Sequence, residues 1–279
     1  MNTSKDRLLA QESHFEFGKN WASYANMITE AQIDIAAAEL QHLLRGRLDG
    51  KRFLDIGCGS GLHSLAALQL GASEVVAVDI DLESVETTCR VLARHAPGGP
   101  WRTLKISVFD VELRALGEFD VVYSWGVLHH TGDLYRALPL AAGMVRSGGQ
   151  FAFALYRTTL LCWLWKIEKR WYVSATPRAQ AVARRVYLAV FRLACVFTLR
   201  SYRKYVAEYR AQRGMDLFHD IHDWMGGWPY ESILPRQVQR LMWSLGFMAT
   251  GSPTRRRLKV GVFGSGCDEY LYSKAISKG

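Results

Sequence analysis

Short apolar segments alternate with helix-like segments through the middle of this chain, and this alternation constrains the fold more than any other feature. The predicted strands are Phe53–Ile56, Val75–Val78, Leu104–Phe109, Phe119–Ser124 and Gln150–Tyr156. Apolar residues at helical spacing predict helices over 62–70, 82–95 and about 133–146. Strands that are apolar throughout are buried on both faces, which is typical of a parallel sheet covered by helices on both sides. We therefore predict an α/β fold.

The alternation is preceded and interrupted by helical sequence. An amphipathic helix is predicted over about 29–46, and from residue 157 the chain is helical and rich in aromatic residues, ending in a Trp-, Gly- and Pro-rich loop at 223–230. A helix at about 235–245 and a strand at Asp268–Ser273 resume the earlier pattern. We predict N-terminal helices at 1–46, a ligand-binding core at 47–156, a helical cap at 157–230 and the C-terminal part of the core at 231–279.

The positive charge of the chain is concentrated in one segment. The chain has 35 Lys and Arg against 26 Asp and Glu, a formal net charge of +9. Residues 151–213 hold thirteen basic and two acidic residues, a net +11, so the remainder carries −2. Contact with nucleic acid, a membrane surface or an anionic substrate is therefore an expectation for the cap, not for the chain as a whole.

Cysteine usage and hydropathy favour a cytoplasmic location. The five cysteines are far apart, form no C-x-x-C pair and are odd in number, which favours reduced thiols over disulfides or zinc ligands. The N-terminal stretch has no apolar core typical of a signal peptide. Val186–Leu199, the longest apolar candidate, contains Arg192 and is shorter than a membrane span.

A glycine-rich turn, FLDIGCGSG at residues 53–61, follows the first predicted strand. Glycines at a strand-to-helix turn let the backbone bend sharply and approach a ligand that a side chain would exclude. The second strand ends at Asp79, whose carboxylate suits a ribose diol, and the third predicted strand leads to Asp110 at the same edge. Ligands of open α/β sheets bind along this edge.

Two ligands fit such a turn, a nicotinamide dinucleotide and S-adenosylmethionine. A dinucleotide site places a pyrophosphate at the helix N-terminus and usually has the spacing G-x-G-x-x-G. Here the glycines are closer together, and Asp55 precedes them where a carboxylate repels pyrophosphate and attracts an ammonium group. Asp110 suits the exocyclic amine of adenine, which is a donor. The charges therefore favour S-adenosylmethionine.

Taken together, these motifs resemble those of class I S-adenosylmethionine-dependent methyltransferases. FLDIGCGSG is similar to the first motif of that family, VVAVDID to the second, SVFD to the adenine-side acid, and FDVVYSWGVLHHTGD and MVRSGGQFAFALY to the fourth- and fifth-strand motifs. More narrowly, F-x-F-G-K-N-W (15–21), D-W-x-G-G-x-P-Y-E (223–231) and G-C-x-E (266–269) resemble a bacterial subgroup described as small-molecule or ubiquinone-type methyltransferases. Asp268 departs from that subgroup, in which Asn is expected.

The resemblance implies a Rossmann-like, seven-stranded, mostly parallel sheet with helices on both faces, and S-adenosylmethionine as cofactor. The residues that it assigns to the cofactor site are Asp55, Gly57, Cys58, Gly59, Gly61, Asp79, Ile80, Asp110, Val111, Ser124 and Trp125.

His129 and His130 follow the fourth predicted strand, at the edge of the sheet beside the reactive end of the cofactor. A hydroxyl acceptor loses a proton during methyl transfer, so a general base is expected here, and we predict that His129 or His130 serves. The alternative is that one of them caps the next helix or packs beneath the cofactor. Asp133 is predicted to cap that helix.

Aromatic residues at the ends of the cap are the candidates for acceptor binding. The predicted substrate site consists of Tyr24, Tyr156, Asp223, Trp224 and Tyr230. The alternative for 223–230 is a hinge that docks the cap through its aromatic residues. His219 and His222 with Asp223 form too small a cluster for a typical metal site, and we predict no metal.

The basic cap allows three interpretations. On a continuous helix, Arg178, Arg185, Arg192, Arg203 and Arg210 fall within about 40° of one line. They form either the solvated stripe of a buried cap helix, or a face that engages an anionic apolar acceptor or a membrane surface. Nucleic-acid binding is the third interpretation and is disfavoured, because bulky apolar residues alternate with the basic ones.

The predicted function is methyl transfer to a small molecule in a biosynthetic pathway, with oxygen as the first choice of acceptor atom and nitrogen or carbon as alternatives. An RNA methyltransferase and a cofactor-binding protein without turnover are the competing hypotheses. The N-P-P-Y type motif expected for methylation of base amines is absent after the fourth strand, where Ser124-Trp125-Gly126-Val127 stands. The sequence identifies neither the acceptor nor the oligomeric state.

Overall fold

The computed structural model describes residues 17–197, 201–213, 217–250 and 266–276. Within them the strands are β1 (Arg52–Ile56), β2 (Glu74–Asp79), β3 (Trp101–Lys105), β4 (Phe119–Trp125), β5 (Val145–Tyr156), β6 (Phe247–Ala249) and β7 (Cys267–Lys274). They form one sheet in the order β3-β2-β1-β4-β5-β7-β6. β1 to β5 are parallel, whereas β7 is antiparallel to both neighbours.

Helices cover both faces of this sheet and form the cap. They are α1 (Phe17–Ala25), α2 (Glu30–Leu44), α3 (Leu62–Gln69), α4 (Leu82–His95), α5 (Val111–Ala115), α6 (Leu134–Gly143), α7 (Cys162–Ser174), α8 (Pro177–Phe197), α9 (Tyr202–Arg213), α10 (Leu217–Gly226) and α11 (Pro235–Ser244). A 3-10 turn, Leu128–His130, follows β4.

The sheet is buried on both faces. Phe53 packs into one apolar cluster with residues of α2 and α3, and its neighbour Leu54 packs into another with residues of α6 and α11. Successive side chains of a strand point to opposite faces, so a strand between two helical layers must be apolar at both positions. The predicted Rossmann-like, seven-stranded, mostly parallel architecture is confirmed.

The third strand is the main correction to the predicted core. It begins at Trp101 and ends at Lys105, where it pairs with Asp79, so the predicted strand Leu104–Phe109 was wrong. β3 is an edge strand, paired on one side and incompletely buried, and therefore lacks a continuous apolar run. The apolar run that suggested a strand lies mostly in the following loop, and Asp110 is the N-cap residue of α5.

The cap consists of several helices instead of one long one. α8 ends at Phe197 and α9 begins at Tyr202, so Arg203 does not continue the line of arginines on α8, contrary to the prediction. The side chains of Arg200, Arg210 and His219 lie outside the described residues. The predicted loop at 223–230 was wrong in its first half, because α10 extends to Gly226.

Both ends of the cap segment lie beside the carboxyl end of β5. The amide of Ile233 donates to the carbonyl of Tyr156 at 3.0 Å, and the amide of Thr158 donates to the carbonyl of Ile233 at 3.2 Å. Arg157 forms a bidentate ion pair with Asp268 of β7, at 2.6 and 2.7 Å. The cap therefore leaves and rejoins the sheet at the edge where the glycine turn lies.

Candidate active site

The glycine turn after β1 lies at the centre of the sheet, between the loops that follow β2 and β4. The amides of Gly57 and Cys58 donate to the carbonyl of Val78 at 2.8 and 3.1 Å, which ties the turn to β2. Gly57 has a φ of +80°, and a Cβ there would collide with the side chain of Val127. Glycine is therefore required at Gly57 by both backbone conformation and space.

Asp79, at the end of β2, holds the opposite side of this turn. Its carboxylate accepts from the amide of Gly59 at 3.2 Å and from the amide of Asp81 at 3.0 Å. Burial raises the pKa of Asp79 to about 6, while those hydrogen bonds lower it. The structure thus places this carboxylate beside the glycine turn, at the edge predicted from the sequence.

Asp55 lies at the base of the turn with almost no exposed surface. Its carboxylate accepts a hydrogen bond from the hydroxyl of Ser64 at 2.6 Å. Burial, together with the negative charge of Asp79, raises the pKa of Asp55 to about 7 against the opposing hydrogen bond from Ser64. Burial and these two carboxylates also raise the pKa of the Cys58 thiol well above its usual value. The site therefore disfavours anions and suits a cationic ligand.

Helix α1 covers the glycine turn from the outside. The amide of Gly18 donates to Asp81 at 2.9 Å, which fixes the helix to the loop after β2. A Cβ on Gly59 would lie 3.3 Å from the indole of Trp21. The gap between Gly59 and this indole is therefore too narrow for a side chain to fit comfortably. Tyr24 is buried behind Trp21, their rings 5.9 Å apart edge to face, and its hydroxyl accepts from Gln32 at 3.5 Å.

The remaining predicted cofactor residues have more varied surroundings. Asp110 is exposed and accepts from the amide of Ser107 at 2.8 Å, and Val111 beside it is 72% exposed. Ser124 is buried and donates to the carbonyl of Ile56 at 3.1 Å, so it joins β4 to β1. The indole of Trp125 donates to Glu269 of β7 at 2.9 Å.

The histidine turn after β4 is buried. His130 contacts the carbonyl of Pro229 through Nδ1 at 2.7 Å; because a carbonyl only accepts, Nδ1 carries the proton. A Cβ on Gly227 would lie 2.7 Å from Cε1 of His130, so this glycine permits the close approach. Phe17 of α1 packs 5.4 Å from the same imidazole, between ring centroids.

His129 is fully buried beside the end of β5. Its ring centroid lies 3.9 Å from that of Tyr156 and 4.3 Å from that of His130. Neither ring nitrogen has a well-formed hydrogen bond among the residues that the structure describes. Burial lowers the pKa of His129 well below its usual value, the charges of His130 and Lys169 lower it further, and the backbone of Ala154 opposes them. The imidazole is therefore neutral at pH 7.

The stretch 223–231 packs against this histidine turn. The amide of Glu231 donates to the carbonyl of His129 at 3.0 Å, and its carboxylate accepts from the amide of Leu134 at 2.8 Å. Glu231 thus caps α6, whereas Asp133, the predicted cap, stands at the N-cap position without a side-chain cap bond. Tyr230 lies 5.3 Å from Tyr156 between ring centroids.

Tyr230 and Trp224 pack against different aromatic rings. The ring of Tyr230 packs against Tyr156 while its hydroxyl donates to Sγ of Cys162 at 3.3 Å. Trp224 packs within the cap, 5.2 Å from Trp165 and 5.6 Å from Tyr187 between ring centroids. Asp223 is buried and accepts from the amide group of Asn20 on α1 at 2.7 Å. Of the predicted residues, Tyr156 therefore contacts the histidines and Tyr230 packs against Tyr156. The contacts of Trp224 fit the hinge interpretation.

A buried lysine of α7, Lys169, was missed by the sequence reasoning. Its ammonium lies 3.8 Å above the ring of Trp224, 5.5 Å from that of Tyr230 and 3.6 Å from the carboxylate of Glu168, and it donates to the carbonyl of Trp224. Burial lowers the pKa of Lys169 to about 8, against the opposing charge of Glu168. No sequence signal distinguishes it from the exposed basic residues around it.

The sequence and fold comparisons agree on the core. Residues 54–153 match the family model described as a methyltransferase domain. Over 107 residues the chain is 38% identical to the tRNA U34 carboxymethyltransferase of Methylococcus capsulatus, covering 37% of this chain and 31% of the relative. Over 108 residues it is 34% identical to the ribosomal protein L11 methyltransferase of Pseudomonas putida, covering 39% and 35%. The chain thus matches about a third of the length of these curated relatives.

Solved structures are similar over most of their length at low sequence identity. The magnesium protoporphyrin IX methyltransferase of Synechocystis PCC 6803, with bound SAH, superposes with a TM-score of 0.50 at 15% identity, covering 87% of this chain and 82% of that one. The [4+2]-cyclase SpnF superposes with a TM-score of 0.52 at 10% identity, covering 86% and 81%. These similarities support the fold.

Proposed function

We propose that this chain, which contains a methyltransferase domain of the class I S-adenosylmethionine-dependent type, transfers a methyl group from S-adenosylmethionine to a small-molecule acceptor. The observation that carries this proposal is a convergence at one edge of the sheet. There the glycine turn with Asp55 and Asp79 lies beneath α1, and the histidine turn nearby packs against Tyr156, which in turn contacts Tyr230.

The residues around the glycine turn fit the proposed cofactor. When bound, S-adenosylmethionine supplies a methyl group made electrophilic by the sulfonium. Asp79 offers acceptors for the hydroxyls of a ribose, and the carboxylate of Asp55 offers a counter-charge for an ammonium group. Trp21 limits access to the glycine turn from the outside, because its indole lies next to Gly59.

His129 is the proposed general base. A hydroxyl acceptor loses its proton as it is methylated, and a neutral imidazole can accept that proton. A buried donor or acceptor left without a hydrogen bond costs about 1–3 kcal/mol, which a bound acceptor hydroxyl would offset. Tyr156 and Tyr230 would orient the acceptor, and orientation alone can supply up to about 7–11 kcal/mol of barrier reduction.

The burial of these groups favours a small acceptor. His129, Tyr156 and Tyr230 are each less than a tenth exposed, so a bulky macromolecular surface cannot reach them without opening the cap. By their names, the curated relatives act on tRNA or a ribosomal protein, but they match only 37% and 39% of this chain. An RNA or protein acceptor is therefore the competing outcome, and the ubiquinone-type subgroup remains a prediction.

Calorimetry with S-adenosylhomocysteine tests the cofactor assignment. We expect one site per chain, and affinity that rises with pH through about 6 and about 7, the pKa values of Asp79 and Asp55. The sign follows because the ammonium group of the ligand favours the ionised form of Asp55 and its ribose hydroxyls donate to the ionised form of Asp79. Protonation of the carboxylates at lower pH weakens both interactions. The rise should level off once both groups are ionised.

Two variants sharpen that measurement. Asp55→Asn cannot ionise, so it should remove the part of the rise centred near pH 7, whereas Glu86→Gln, exposed on α4, should retain the whole profile. A pH-independent affinity would argue against carboxylate recognition of the ligand. Incubation with methyl-labelled S-adenosylmethionine and cell extract then identifies the acceptor class, and label confined to RNA or protein would refute a small-molecule acceptor.

Tyr230 tests the proposed acceptor pocket. Tyr230→Ala is expected to raise the acceptor KM or lower kcat by about ten- to a hundredfold, because an aromatic contact of about 1.5–3 kcal/mol is lost. The affinity for S-adenosylhomocysteine should stay within about twofold, since the ring of Tyr230 packs against Tyr156 at the end of β5.

Trp224→Ala and Tyr172→Ala are the comparisons for this effect. Trp224→Ala should lower the Tm and change the acceptor KM less than Tyr230→Ala does, because Trp224 packs inside the cap. Tyr172 is buried among the residues of α10, so Tyr172→Ala should lower the Tm without changing the acceptor KM. Equal KM values for wild type and Tyr230→Ala would remove Tyr230 from the pocket.

A further inference from the structure

Helix α8 exposes apolar residues that a surface helix normally buries. Val182, Val186, Leu193 and Val196 are 56%, 56%, 55% and 69% exposed, and Cys195 is the buried residue of this helix. The opposite side already packs into the cap through Tyr187 and Leu188. A surface helix usually presents its apolar stripe to the core and its polar residues to water. The outward apolar stripe of α8 is therefore exposed and does not contribute to the core of the cap.

Arginines border this outward stripe. Arg178, Arg185 and Arg192 recur every seven residues, lie within about 40° of one another around the helix, and are exposed. Val182 and Leu193 follow next around the same helix, further from its buried side. Pro177–Phe197 contains no acidic residue, so nothing on α8 neutralises the arginines.

Helix α7 repeats this arrangement with tryptophans. Trp163, Ile167 and Trp171 are 64%, 60% and 49% exposed and lie on the outward side. Lys166 and Arg170 are exposed along one margin of that side, next to Trp163. The one acid of α7, Glu168, lies on another side, toward Lys169. Two successive helices thus combine an exposed apolar stripe with a basic margin.

We propose that the outward faces of α7 and α8 dock on the surface of a bilayer that contains anionic phospholipids. Trp and aliphatic side chains of such a helix enter the boundary between headgroups and acyl chains, while Arg and Lys pair with anionic headgroups. No helix among the described residues is long and apolar enough to cross a membrane, so the helices would lie in the plane of the interface.

The chemistry of these faces favours lipid over other partners. A nucleic-acid site would be a polar basic groove, whereas exposed Val, Leu, Ile and Trp side chains gain nothing from phosphates. A water-soluble protein partner would need a surface of matching shape in which acidic residues surround apolar ones. An anionic bilayer supplies both the negative charge and the apolar layer beneath it.

Docking would bring the bilayer close to the candidate acceptor site. The buried side of α7 carries Lys169, which contacts Trp224 and faces Tyr230, so one helix diameter, about 10 Å, separates the outward face from the pocket. An apolar acceptor dissolved in the bilayer would then enter a pocket beside its source. This consequence rests on the proposed function, whereas docking itself does not.

Sedimentation of the full chain with vesicles tests the proposal. We expect binding to vesicles of phosphatidylglycerol and phosphatidylcholine in equal parts, and little binding to phosphatidylcholine alone. Replacing Arg178, Arg185 and Arg192 together by Gln should weaken binding about a hundredfold, because each basic residue near the surface contributes about fivefold. Trp163→Ser should weaken it about tenfold through lost apolar insertion.

Matched substitutions elsewhere control for general charge and hydropathy. Trp243→Ser removes a 78% exposed tryptophan of α11, and Arg236→Gln with Arg240→Gln removes exposed charges there; all three should leave vesicle binding unchanged. If the substitutions in α7 and α8 leave the affinity for anionic vesicles unchanged, the proposal is overturned. Equal binding to both vesicle types also overturns it. Dimerisation abolished by the same variants, without vesicle binding, would make these faces an interface between copies and equally overturn it.

Discussion

His129→Gln is expected to lower kcat for methyl transfer by about 10²–10⁴-fold while the affinity for S-adenosylhomocysteine stays within about twofold. Glutamine keeps a polar side chain of similar length next to Tyr156 but cannot accept a proton near neutral pH. The imidazole of His129 is neutral and lacks a well-formed hydrogen bond among the described residues, so a ring nitrogen is available to accept a proton from a bound hydroxyl. Single-turnover rates with the identified acceptor measure the effect.

The pH profile distinguishes a base from a structural histidine. Burial and neighbouring charges lower the pKa of His129 well below its usual value. At saturating S-adenosylmethionine, the wild-type rate should therefore be level through neutral pH and fall only in acid, where the imidazole becomes protonated. His129→Gln should lose that acid limb together with most of the rate. A purely structural role would lower the Tm and the amount of folded enzyme but leave the acid limb in place.

Neighbouring residues provide the controls. Leu128→Ala removes a buried side chain from the same turn and should lower stability with little effect on kcat below the melting temperature. His130 donates to the carbonyl of Pro229, so His130→Gln should act through loop position and cost less activity than His129→Gln. A wild-type rate in His129→Gln would favour catalysis by orientation alone.

The positions of elements that are buried on two sides could be predicted from the sequence. The buried strands β1 and β2 and the turn between β1 and α3 lie where apolar runs and glycines predicted them, because burial on both faces leaves a clear pattern. The edge strand β3 was placed too late, since one-sided pairing and partial exposure relax the need for apolar residues. Hydropathy patterns therefore predict the bounds of the central strands better than those of the edge strand.

Tertiary contacts between distant segments were the harder part of the site. The approach of Trp21 to Gly59 and the bond from Asn20 to Asp223 depend on how α1 crosses the sheet, which no local pattern encodes. The motif F-x-F-G-K-N-W contains Asn20 and Trp21, but the resemblance did not assign a role to either residue. Lys169 had no signal, because its burial depends on Trp224, about fifty residues later in the chain.

The cap was predicted to be helical, and the sequence left open whether its apolar residues are buried or exposed. A stripe of arginines on an apolar helix suggested two main alternatives. Either the helix is buried with one solvated side, or it exposes a surface of apolar and basic residues that binds a partner. Exposure of Val182, Val186 and Leu193 contradicts the first of these. Periodicity could not separate the two, because a helix with apolar residues on both its inward and outward sides has the same spacing as one that is simply buried.

Asp79→Ala is expected to weaken the binding of S-adenosylhomocysteine by about a hundredfold or more. Two losses combine in this variant. A carboxylate that accepts from ribose hydroxyls contributes about 1.5–3 kcal/mol for each charged hydrogen bond. The same carboxylate also accepts from the amides of Gly59 and Asp81, so its removal frees the glycine turn that it holds in the structure. Isothermal titration at a pH above 7, where Asp55 is ionised, measures the change.

Asp79→Asn separates these two contributions. Its amide oxygen can still accept from the amide of Gly59, which preserves the turn, but it lacks the charge and the second acceptor for a diol. We therefore expect an affinity between those of wild type and Asp79→Ala, whereas Glu86→Ala, an exposed acid of α4, should bind as wild type. Unchanged affinity in Asp79→Ala would refute the ribose assignment. Tight binding of NAD by the wild type, lost in Asp79→Ala, would keep Asp79 as a ribose ligand and replace the cofactor, because a carboxylate at the end of β2 serves either nucleotide.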